Sequence, residues 1–230
     1  MTVAPRWEPS ERWVRGRRGD LTIVDSRRAI LVWDSPTPVP RYAFPEADVR
    51  TDLLRAAGER FDLVIGDGTG PDAARYIALP WSAAEHWYEE DEEIFVHPRD
   101  PHKRVDAIPS SRHVTVEIGG VTVADTRAPV LVFETGLPTR YYIPRADVRL
   151  ELFEPADLRT GCPYKGTAGY MSLREPGDAP PNIVWSYAEP LPAVGPIRGL
   201  LAFYNEAVDL TVDGERLQRP VTHFSRSLGH

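Results

Sequence analysis

The chain has 230 residues, 42% of them apolar and 10% aromatic, which is enough to bury a core and too much for general disorder. It sets 27 Lys and Arg against 34 Asp and Glu, a formal net charge of −7, and so argues against the basic face that nucleic-acid or anionic-membrane binding needs. A single cysteine, Cys162, rules out an internal disulfide and a cysteine-based zinc cluster.

In chain order, residues 1–13 alternate polar and apolar side chains without the apolar run of a secretory signal, and no window approaches a membrane span. A cytoplasmic protein with no membrane or nucleic-acid partner is expected. Short β-rich runs predict strands at 21–25 and 29–33 with a polar turn between them. Prolines make 35–40 a loop, 41–44 resumes as a strand, and Pro45 opens a short helical turn over 45–50. A weak helix pattern follows at 52–57. Strands at 62–65 and 75–79 flank a glycine-rich connector at 66–72, GDGTGPD, which lacks the lysine and following helix of a phosphate loop. The acidic run 85–93 reads as a solvated loop or helix face, and 94–97 as a strand ahead of the proline-rich stretch 97–104.

The second half repeats the first. At a shift of 100, Arg12, Val14, Gly19, Thr22, Asp25, Arg27, Leu31, Val32 and Pro38 meet identical residues; after a one-residue gap, Arg41, Tyr42, Pro45, Ala47, Asp48, Val49, Arg50 and Leu53 meet identical residues at a shift of 99. A tandem duplication follows, with a first repeat at 1–107 and a second at 108–230. The second repeat predicts strands at 121–125, 129–133, 140–143, 169–173, 183–185, 200–204 and 207–212, a turn at 144–149 and a weak helix at 193–200. The fold class expected is mainly β: two tandem small β domains with short helical turns.

Chemistry concentrates in the second repeat. Lysine occurs only at Lys103 and Lys165, beside 25 arginines, so Cys162 and Lys165 place two rare reactive side chains in one segment, Cys162-Pro163-Tyr164-Lys165-Gly166-Thr167. Lys165 suits an anion, general-base or Schiff-base role; Cys162 suits a thiolate only beside positive charge and otherwise a small buried apolar residue. Gly166 lets backbone approach a ligand. Arg140, Tyr141, Tyr170, Trp185 and Tyr204 supply a guanidinium and rings able to bind or stack on a planar or anionic molecule; the Arg-Tyr pair also recurs at Arg41-Tyr42, which suits an inherited structural role. Strand alternation sets Arg140 and Tyr142 on one face and Tyr141 on the other. The six histidines are scattered, so no metal site and no cofactor is expected. There is no HExxH, GxSxG or P-loop, and no reaction is read from these residues.

Residues 131–149 (LVFETGLPTRYYIPRADVR), 160–170 (TGCPYKGTAGY), 184–190 (VWSYAEP) and 197–209 (IRGLLAFYNEAVD) together resemble the domain of unknown function 427 family, and 97–113 resembles the junction of its tandem members. The first repeat departs from that pattern, because it lacks Cys-Pro-x-Lys-Gly. The resemblance implies a small mainly β domain similar to the β-tent shape of translationally controlled tumour protein and related zinc proteins. Zinc itself is not implied, since there are no CxxC pairs. A nucleotidyltransferase-like label sometimes attached to the family is not carried over, because the acidic pair and glycine-serine signature are missing.

Two functions are consistent with these features. One is a small-molecule site in the second repeat lined by Arg140, Tyr141, Tyr164, Lys165, Gly166, Tyr170, Trp185 and Tyr204, with Lys165 and Cys162 as the candidates for any chemistry. The other is a non-catalytic interaction or scaffold module.

Overall fold

The computed structural model describes residues 6–34, 39–64, 76–175, 177 and 179–227. The glycine-rich connector at 66–72 and part of the proline loop at 35–40 lie outside them. The chain divides into two compact units, Met1–Pro101 and His102–His230. Each is mainly β, made of antiparallel sheets with short helical turns, and among the described residues no sheet closes into a barrel.

In the first unit, a five-stranded sheet runs in the order Arg6–Pro9, Ile30–Trp33, Arg41–Pro45, Tyr76–Ala78, Asp62–Val64. A four-stranded sheet runs Leu21–Ser26, Val14–Arg18, His86–Glu89, Glu92–Ile94. Alternation along the strands separates two apolar sets. Leu31, Tyr42, Phe44 and Ile77 join Val14, Ile23 and Trp87 in one cluster, while Ile30, Val32, Ala43, Tyr76 and Ala78 form another on the opposite face.

The second unit has a four-stranded sheet, Val121–Thr126, Val114–Ile118, Asp209–Val212, Glu215–Arg216, and a seven-stranded one. The latter runs Val105–Pro109, Val130–Glu134, Arg140–Ile143, Leu201–Phe203, Val184–Ser186, Gly166–Leu173, Phe153–Cys162. Leu131, Tyr141, Ile143, Leu201 and Phe203 pack with Val114, Val116, Val123 and Leu210 of the smaller sheet. The other face carries Val130, Val132, Tyr142, Ala168, Tyr170, Trp185 and Ala202, covered by Val194 and Ile197 of the 3₁₀ segment Pro192–Ile197. That covered face is where the candidate residues gather.

Local devices recur at corresponding positions. A bulge falls between Gly16 and Arg17 in one unit and between Val116 and Glu117 in the other. Ser26 donates to Asp48 at 2.7 Å and Thr126 to Asp147 at 2.6 Å, bracing the turn after each proline. Trp13 Nε1 donates to Asp25 at 2.6 Å, and the His113 ring nitrogen meets Asp125 at 2.7 Å. Position 113 thus presents a ring–carboxylate contact on a part-exposed surface.

Several expectations are corrected. The acidic run is a hairpin, His86–Glu89 with Glu92–Ile94, in place of a loop or helix face. It is a strand because alternate residues turn inward: Trp87 is buried and Glu89 is 4% exposed, its carboxylate taking hydrogen bonds from Tyr42 and Arg12. The strand expected at 94–97 ends at Ile94, because the backbone turns at Val96, where φ is +75° and His97 N–H donates to Phe95 O. The helix pattern at 193–200 is the 3₁₀ segment Pro192–Ile197, since Pro196 has no N–H to extend an α-helical ladder.

Candidate functional site

One row of cross-strand partners organises the covered face of the seven-stranded sheet. Val130, Tyr142, Ala202, Trp185, Tyr170 and Ala156 stand opposite one another on successive strands. Small residues at both Ala positions leave room for the large rings between them. Tyr142 and Trp185 meet edge to face at 6.1 Å, and Trp185 Nε1 donates to the Tyr142 hydroxyl at 2.9 Å. Tyr204 lies 4.6 Å from Trp185. It is hydrogen-bonded to Tyr170, whose hydroxyl also pairs with Thr160 at 2.8 Å.

Burial pushes the phenols of Tyr142, Tyr187 and Tyr204 well above the ordinary value of 10. The Trp185 hydrogen bond offsets this in part at Tyr142, and the proximity of Cys162 and Glu134 adds to the rise at Tyr142 and Tyr187. All three therefore stay neutral at working pH, as hydrogen-bonding groups and not as bases.

Two ion pairs sit against these rings. Arg140 is 5% exposed and grips Glu206 with both terminal nitrogens, each at 2.7 Å. This bidentate geometry answers the fixed fork of the guanidinium. Glu206 would be raised by burial alone, but the hydrogen bonds from Arg140 and Thr222 outweigh it and hold its carboxyl below the ordinary glutamate value. The guanidinium also lies over three rings, at 5.6 Å from Trp185, 6.0 Å from Tyr204 and 5.6 Å from Phe224.

The second pair comes from the CPYKG turn. Strands Phe153–Cys162 and Gly166–Leu173 close on each other through Cys162 and Gly166. Gly166 takes φ +97°, and a Cβ there would stand 3.2 Å from the Glu189 carbonyl. That turn carries Lys165 onto Glu134, at the end of strand Val130–Glu134, and both side chains are largely buried. Lys103 Nζ reaches the other Glu134 oxygen at 3.9 Å. Both lysines of the chain thus converge on one carboxylate.

The structure brings Arg140, Tyr170, Trp185 and Tyr204 together on one face, with Lys165 on Glu134 and Cys162 and Gly166 in the adjoining turn. It does not bring Tyr141 to them: Tyr141 packs in the cluster between the sheets, as Tyr42 does in the first unit. Tyr164 is half-buried in the same turn as Lys165. Glu134, Glu206, Tyr142, Tyr187, Thr222 and Phe224 are not among the sequence candidates. Glu134 had one signal, the acidic residue Asp34 one hundred positions earlier in the sequence alignment of the two halves, where it pairs with Arg41. Among the described residues, no three His, Cys, Asp or Glu side chains converge as metal ligands do, and no helix is long and apolar enough to cross a membrane.

Residues 106–214 match the model of a family described as a domain of unknown function (DUF427), carried under the label NTP_transf_9. The match lies within the second unit. No curated protein matches the chain.

Proposed function

We propose that the chain duplicates one β unit and that the second copy, which contains the family match, binds a small molecule with a flat ring and an anionic group. The recurring bulges, hydroxyl–aspartate braces and ring–aspartate contacts support the duplication. The convergence of Lys103 and Lys165 on Glu134 carries the binding reading. Two ammonium groups against one carboxylate leave a positive charge beside a set of neutral rings. That is a complement for a monoanion attached to a planar body.

Within this reading Lys165 contacts the anion and Trp185, Tyr204 and Tyr170 contact the ring. Arg140 is matched by Glu206, so it orients the rings and does not compete for the anion. The first copy differs at the matching places: Arg41 pairs with Asp34, and its sequence lacks the CPYKG segment.

Mass spectrometry of small molecules released from the purified protein, followed by thermal-shift screening, tests the proposal. A ligand present at about a hundred times its dissociation constant stabilises by about 2.7 kcal/mol. That stabilisation is expected to vanish in Lys165→Ala. Stabilisation by anionic aromatic compounds that survives Lys165→Ala would remove the site from this turn.

A second reading, a protein-interaction module, is favoured by Ile108 and Phe133, which are exposed on the outermost strand pair of the large sheet. A partner whose capture is lost in Ile108→Ser, and kept in Lys165→Ala, would support it instead.

A further inference from the structure

The ring face of the second unit is closed by a segment beyond the family match. Leu217 N–H donates to Leu210 O and Arg219 pairs with Asp209, anchoring the chain at the edge of the small sheet. Val221 then stands almost fully in solvent. Directly after it, the Thr222 hydroxyl donates at 2.6 Å to Glu206 Oε1, the same oxygen that takes Arg140 Nη2. Phe224 packs on Tyr204 at 5.8 Å and under the Arg140 guanidinium at 5.6 Å. The turn is preformed: Thr222 N–H donates to Ser225 Oγ, and Phe224 N–H to Thr222 Oγ1.

A flat ring packed at a tilt against Tyr204 and lying under a guanidinium, with a hydrogen-bond donor on Glu206, is the contact set a planar ligand would make. Here residues of the same chain make it. We propose that residues 222–225 form a displaceable strap filling the ring position of the second unit's site. It holds that position closed until a flat molecule with its own hydrogen-bond donor replaces Phe224 and Thr222. The inference rests on the small-molecule reading above and adds to it the ligand's donor group and a gate.

If the open form is a minor fraction, apparent affinity falls by that fraction. The probe is 1-anilinonaphthalene-8-sulfonate, which has flat rings, an N–H donor and an anion, and which fluoresces when taken out of water. Its titration is run on the full chain, Phe224→Ala, Thr222→Val and a chain ending at Leu217, each checked for unchanged near-ultraviolet circular dichroism. Phe224→Ala and the truncation are expected to tighten binding about tenfold and Thr222→Val by less. In the full chain, saturating probe is expected to speed amide exchange of residues 222–227.

Equal affinity in the full chain and Phe224→Ala, with the 222–227 amides still protected under saturating probe, overturns the strap. The amide readout stands even if the truncated chain fails to fold. If the truncation binds tighter but Lys165→Ala does not weaken it, the strap stands and the lysine reading falls. If Lys165→Ala weakens binding while strap variants change nothing, the lysine reading stands and the strap falls.

Discussion

At Arg140 and Glu206, two charges give up water for each other, and the geometry decides whether that stabilises. Both terminal guanidinium nitrogens and both carboxylate oxygens are used, and Thr222 adds a third hydrogen bond. Removing one partner leaves the other charge buried and uncompensated, which costs about 3–5 kcal/mol. Glu206→Gln keeps the shape and removes the charge, so a loss in that range is expected by denaturant titration. The pH dependence follows with a definite sign. A carboxyl held below its ordinary value contributes stability that is present above that value and is lost as pH falls through the folded-state value. Glu206→Gln is therefore expected to unfold with a shallower acid dependence than the parent. An unchanged acid limb would mean that Glu206 is not the anchor of this face. The carboxylate is invisible to sequence reading because it is one of 34 acidic residues and its partner lies 66 positions away. Lys165 is legible for the opposite reason, since only two lysines exist to choose from.

At the scale of strands, the two units solve one packing problem with different volumes. Gly16 stands opposite Trp87 in the first, and Val116 stands opposite Leu210 in the second. A Cβ at Gly16 would sit 2.9 Å from Val24 Cγ1 and 3.1 Å from both Ala84 and the Trp87 ring, so the indole fills the space a valine takes elsewhere. Gly16→Val alone is expected to destabilise by about 1–3 kcal/mol through overpacking. Combined with Trp87→Leu, it is expected to recover part of that loss, giving a coupling energy of about 1 kcal/mol or more in a double-mutant cycle. Strict additivity would show that the two positions do not share that space. The same strands show what was legible. Leu21–Ser26, Val121–Thr126 and Arg140–Ile143 announce themselves through β-branched and aromatic runs. Val14–Arg18 does not, because three of its five residues are arginines and one is Gly16. Phe153–Cys162, the longest strand, is an exposed edge with Pro155, Gly161 and a register shift, so it has neither alternation nor an apolar run to read. Its hairpin with Gly166–Leu173 is nonetheless what delivers Lys165 to Glu134.

At the scale of the whole chain, each unit owns the core that holds it. The clusters around Phe44, Trp87 and Ile77 belong wholly to the first, and those around Phe153, Trp185 and Leu201 wholly to the second. Cooperativity follows shared buried surface, so a lesion in one core acts first on the unit it sits in. Phe44 is fully buried, and Phe44→Ala is expected to cost the first unit about 3–5 kcal/mol through lost transfer energy and the cavity left behind. Amide exchange measured strand by strand reads where the cost falls. Faster exchange is expected in Arg41–Pro45 and Tyr76–Ala78. Val130–Glu134 and Leu201–Phe203 are expected to keep their protection. Equal loss of protection in all four strands would show a single cooperative block. The first unit would then be a structural support on which the second depends. Protection lost in the first unit alone, with Val130–Glu134 and Leu201–Phe203 unchanged, would show that the second unit keeps its own core without help from the first.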